Sequence, residues 1–152
     1  MSTSGEQPSW IFAAAEVVTV GLPFCVFKFF SGLVAIRTPV LAAPGYLLLL
    51  IAIVDLGFNG INLLSLAFAR RRAAPICLTD LVVRRVMSKE RESELGIALD
   101  VFLSFVLVAI AIGIGMHARL PPWGAPIWSV AVVFNVLGAG VGRLFSALSR
   151  RA

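Results

Sequence analysis

The chain has 152 residues, of which 59% are hydrophobic and 14% charged, and it carries a net charge of +5 with a mean hydropathy of +0.96. Soluble domains carry about 25% charged residues, so this composition excludes an ordinary water-soluble globule and leaves no length for a separate soluble enzyme domain. The cations flank apolar runs instead of lining a soluble face, which points away from nucleic acid and toward the anionic head groups of a lipid bilayer.

The first ten residues, MSTSGEQPSW, hold a single charge, Glu6. A secretory signal would need a basic start and a shorter apolar stretch, so residues 10–36 are expected to form a retained first span. It carries Glu16 and Lys28, and Pro23 is placed to kink it. The link RTPVLAAPG leads to a second expected span over residues 45–69, which carries Asp55. A spanning helix needs about 20 mainly apolar residues, and both runs meet that length.

The next connection, residues 70–95, holds seven basic and four acidic residues. Leu78, Leu81, Val82 and Val86 recur there near helical spacing. They predict a short amphipathic helix on the cytoplasmic membrane surface, capped by Thr79 or Asp80. The third span is expected over residues 96–118 with Asp100, and the fourth over residues 125–147 with Arg143. The link RLPPWGAP between them places Trp123 and Trp128 at the membrane interface. None of the runs alternates with period two, which excludes a β-barrel. The expectation is an all-α integral membrane protein, a four-transmembrane-helix bundle forming a single domain over residues 1–152.

Orientation follows from the basic residues. Seven lie in the 70–95 connection and two more, Arg150 and Arg151, near the last residue, against Arg37 and Arg119 in the short links. The excess puts that connection and both termini in the cytoplasm. Arginine outnumbers lysine eleven to two, a bias of GC-rich bacterial genomes that suggests a bacterial inner membrane.

The intramembrane polar residues form two expected layers. Asp55, Asn59 and Asn62 share one face of the second span, and Ser65 extends it. A polar stripe in a span faces protein or water, not lipid. Counting the helical rise, Asp55 sits about 3 Å and Lys28 about 7 Å to the outer side of their helix centres, so the two are within reach. Glu16, Asp100 and Arg143 each sit about 10 Å to the cytoplasmic side and form the second expected cluster. Asn59, Asn62 and Asn135 lie between.

The fourth span adds a small-residue face, Gly138, Gly142 and Ser146, that allows close helix packing within the bundle or with another subunit. His117 is the lone histidine, and Cys25 and Cys77 have no metal spacing. Neither an acyl-transfer triad nor a haem pair can be assembled, so no enzyme activity, metal or cofactor is expected. Two functions remain. The chain acts by association, as an accessory subunit or a homo-oligomer, or it moves a proton or ion along its buried charges.

Overall fold

The computed structural model describes residues 10–86 and 92–149, and every regular element among them is a helix. The first helical stretch runs without interruption through α1 (Trp10–Glu16), a π-helical turn (Val17–Gly21) and α2 (Leu22–Ala35). Pro23 explains the π turn. A regular helix would direct its N–H to the Thr19 carbonyl, but proline has no N–H and its ring crowds that oxygen. The helix widens instead, with the Leu22 amide reaching back five residues to the Val17 carbonyl.

After a single 3-10 turn at Pro39–Leu41, α3 runs from Ala42 to Ala69. Pro44 is tolerated because it lies in the first turn, where amides have no helical partner. Arg70 ends α3 in the left-handed region at φ 54°, its amide on the Leu66 carbonyl. A non-glycine residue rarely adopts that conformation, and it turns the chain sharply back. Two later helices, α4 (Leu78–Val86) and α5 (Glu92–Gly113), pack on one another. Gly115, at φ 65°, turns α5 into a short 3-10 helix at Met116–Arg119, and α6 (Gly124–Ser149) completes the chain.

Two helical stretches, Ala13–Ala35 and Pro39–Ala69, are long and apolar enough to cross a membrane. They form an antiparallel pair whose backbones approach closely near the turn. A Cβ added to Gly32 would come within 2.9 Å of the Gly45 carbonyl, and one on Gly45 within 2.8 Å of the Ile36 amide. Gly124 similarly admits the Phe30 ring.

α2 is the central helix. Its Phe24, Phe27, Phe30 and Val34 pack with Ala111, Met116, Leu120, Trp128 and Ala131. Trp128 is therefore enclosed by the protein. Its ring lies 6.0 Å from Phe27 with 7% of the residue exposed, whereas Trp123 stays 56% exposed beside Phe30. The two short links lie at one end of the molecule, where the Arg37 guanidinium donates to the Arg119 carbonyl at 3.2 Å.

Candidate functional site

The stripe on α3 meets its partner in the chain that directly follows it. Beyond Arg70 the chain folds back and runs antiparallel to α3 along the stripe. Ser65 Oγ donates to the Arg71 carbonyl at 2.7 Å. Asn62 Oδ1 accepts from the amides of Ala73 and Ala74 at 3.2 and 2.9 Å, and its Nδ2 donates to the Pro75 carbonyl at 3.1 Å. Asn59 Nδ2 donates to the Ile76 carbonyl at 3.0 Å. Asp55 Oδ1 accepts from the Leu78 amide at 2.6 Å. The pairing is strictly ordered: as the strap advances from residue 71 to 78, its partners descend from Ser65 to Asp55.

This arrangement answers a physical need. Residues 70–77 form no regular helix or strand, so their amides and carbonyls lack internal partners, and a buried unpaired backbone group is costly. The stripe supplies those partners at the 3- and 4-residue spacing of its helix. Asn59, Asn62 and Asp55 are no more than 1% exposed, and Ile76 and Cys77 beside them are buried.

At the inner end of the strap, Lys28 Nζ donates to Asp55 Oδ2 at 2.7 Å, with both side chains almost wholly enclosed. The Asp55 carboxylate thus bridges an ammonium group and the first amide of α4, where the partial positive charge of a helix start favours an anion. Cys77 precedes that helix, and its Sγ accepts from the Asp80 amide at 3.3 Å. The Asp55 carboxylate, from another helix, therefore holds the first amide of α4, and Cys77 holds the third. The short helix expected in this connection is present at Leu78–Val86. Asp80, in its first turn, is fully buried, while Leu81 and Val82 on a different side are exposed.

Of the second expected layer, only Glu16 has a described side chain. Glu16 pairs with Arg72, the third arginine after α3. At the start of that triplet, Arg70 lies over the Trp10 ring at 5.7 Å. The sharp turn at Arg70 brings the arginines back onto α1, which the span-by-span depth count did not include. Asp100 lies on α5 and Arg143 on α6, but their side chains are outside the described residues, as are those of Gly142 and Ser146.

Asn135 and Gly138 both face the π turn. Asn135 Nδ2 is 3.5 Å from the Thr19 carbonyl, the oxygen that Pro23 leaves without a helical donor. A Cβ on Gly138 would lie 2.1 Å from the Thr19 side chain, so this glycine serves close packing inside the chain. Asn135 does not link two ionic layers, and Asn59 and Asn62 hold main-chain groups. Asn59 Nδ2 also donates to the Asp55 carbonyl at 2.8 Å and lies 3.6 Å from Cys25 Sγ. Its Oδ1 lacks a hydrogen-bond donor and sits against Gly21, where an added Cβ would come within 2.1 Å.

The strap was the feature least visible in the sequence. Its signal is the uncharged run from Ala73 to Cys77, embedded between Arg70–Arg72 and Arg84–Arg85. Among the described residues, no group of three or more His, Cys, Asp or Glu side chains is placed to hold a metal ion. Compared with known proteins, the chain matches no family model, no curated protein and no solved structure.

Proposed function

We propose that this chain is an integral protein of a bacterial inner membrane, with four spans and with the 70–95 connection and both termini in the cytoplasm. It acts without catalysis, by association with a membrane-protein partner or with further copies of itself. The inverted distribution of polarity carries this reading. Lys28, Asp55, Asn59, Asn62, Asp80 and Asn135 are buried, whereas Leu50, Ile53, Leu64, Phe68, Phe102 and Val133 are at least half exposed. Soluble monomers rarely leave such extensive apolar faces in water, and lipid covers them without penalty. Ser65, Asn62, Asn59 and Asp55 each bond to the protein's own main chain. What remains for a partner is apolar surface within the bilayer and the basic rim of Arg70, Arg71 and Arg85, which suits anionic head groups.

Reporter fusions in the 70–95 connection and in the two short links test the topology. A cytoplasmic signal from the short links overturns it. Mass measurement in lipid nanodiscs tests association: an oligomer or a stoichiometric partner is expected, and a strict monomer purified without a partner overturns it.

A second reading, proton- or ion-coupled transport, is favoured by one observation. The buried Lys28–Asp55 pair stands where irregular backbone meets the start of α4, and transporters place coupling sites at such helix interruptions. Stability and flux measured on one Lys28→Met/Asp55→Leu variant separate the readings. A variant that folds but carries no flux in liposomes supports transport. Wild-type liposomes that pass neither protons nor any tested ion retire it.

A further inference from the structure

We propose that residues 71–78 form a displaceable strap whose release opens a hydrated path from the Arg70 corner to the Lys28–Asp55 pair. The inference rests on the membrane placement above and deepens the second reading, since the path would admit water and protons to that pair from the cytoplasmic side.

Three features of the strap support release. Its main-chain anchors on α3 are side chains, not a helical or sheet ladder. They can therefore separate in turn from the corner inward without unwinding α3. The order is Ser65 from Arg71, then Asn62 from Ala73, Ala74 and Pro75, then Asn59 from Ile76.

Exposure is graded along the same direction. Arg71 and Ala73 are exposed, Arg72, Ala74 and Pro75 are half-buried, and Ile76 and Cys77 are buried. The hinge residue, Arg70, holds a left-handed conformation that a non-glycine side chain disfavours, and lifting the strap relieves it.

The surface left behind also suits an open state. The groove floor consists of Ser65, Asn62, Asn59 and Asp55, with Lys28 at its end. From Ser65 to Asp55 it extends ten residues along α3, about 15 Å at the helical rise. Water replaces the lost main-chain partners on such a floor, as it cannot on an apolar one. The backbone of the strap is itself rehydrated as it leaves. The closed state remains the ground state because every one of these bonds is then made inside the protein.

Two native thiols report the motion. Cys77 lies near the inner end of the strap, and Cys25 lies beside Asn59, whose amide also holds the Ile76 carbonyl; both are buried and neither is in a disulfide. A third reporter, Ala131→Cys, sits in the aromatic core around Phe27 and Trp128 and reads global unfolding. The experiment moves the protein from membrane vesicles into lipid nanodiscs, whose two faces are both open to water, and treats it with a cationic methanethiosulfonate. Labelling is followed site by site by mass spectrometry.

In the wild type, Cys77 and Cys25 should label slowly but at least tenfold faster than the Ala131→Cys reporter. Ser65→Ala, which removes one anchor at the corner, should raise the Cys77 rate roughly fivefold. Asn62→Ala, which removes three, should raise it further, with the core reporter unchanged. The strap does not open if Cys77 and Cys25 label no faster than the core reporter in the wild type and both variants. It does not open separately if the variants accelerate all three thiols equally, because that pattern means global unfolding. Failure of the membrane reading is distinguished beforehand, since a peripheral protein leaves the vesicles in alkaline carbonate.

Discussion

The two halves of the interior are held together by different physics. Toward the short links, α2 is packed by rings and aliphatic side chains: Phe27 against Trp128, Phe30 against Trp123, and Val34 within the same cluster. Toward the Arg70 corner, α3 is held to the strap by hydrogen bonds from Ser65, Asn62, Asn59 and Asp55. Packing is non-directional, and tolerates a change of shape that preserves volume. A hydrogen bond is directional, and losing one partner leaves the other unmatched while the strap stays closed over it. The contrast recurs in the helices themselves. Of the most apolar window of the Ala13–Ala35 stretch 56% is buried, against 17% for the Pro39–Ala69 stretch, so α2 is gripped on most sides and α3 chiefly along one face.

That contrast can be broken most severely at Asp55. Asp55→Leu removes the carboxylate from the Lys28 ammonium and the acceptor from the Leu78 amide, and should cost about 3–5 kcal/mol in denaturant unfolding in detergent. Lys28→Met added to it should recover most of the loss, because the unpaired charge is then gone. A double variant as unstable as the single would show that the amide cap, not the ion pair, dominates.

Asn62→Leu keeps the branched shape of the side chain but removes three bonds to the strap, so a loss of about 3 kcal/mol is expected by the same assay. A neutral result would remove the distinction between the two halves. Gly21→Ala brings a methyl group against Asn59, and should cost about 1–3 kcal/mol through forced shifts of the α2–α3 contact. Phe27→Leu, in the aromatic half, should be mildest at about 1 kcal/mol, since neighbouring rings and Met116 can close some of the space. Thermal unfolding of Asn62→Leu and Phe27→Leu side by side gives the sharpest form of the comparison.

The polar stripe was legible because helical periodicity alone places Asp55, Asn59, Asn62 and Ser65 on one face. The depth count likewise put Lys28 near Asp55, and they lie 2.7 Å apart. Element ends were less legible. α3 begins at Ala42 instead of residue 45, because Pro44 is harmless in a first turn. α5 spans Glu92–Gly113 instead of residues 96–118, because Gly115 takes a left-handed conformation before the 3-10 turn. The partners of Glu16 and the asparagines were not legible, since the depth count treated every connection as external to the bundle.

The amino-acid sequence by itself determined the helical class, two stretches able to cross a membrane and the face of α3 that must be sheltered. These follow from local rules: rise per residue, periodicity and the cost of unpaired polar groups. Only the tertiary structure decided what shelters that face. The choice among another helix, a second ionic layer and the following chain depends on one residue, Arg70, adopting a left-handed turn, and on the strap then matching α3 group by group. Neither is written in composition or spacing, because many folds satisfy the same polar stripe, and only the three-dimensional path shows which main-chain groups arrive beside it.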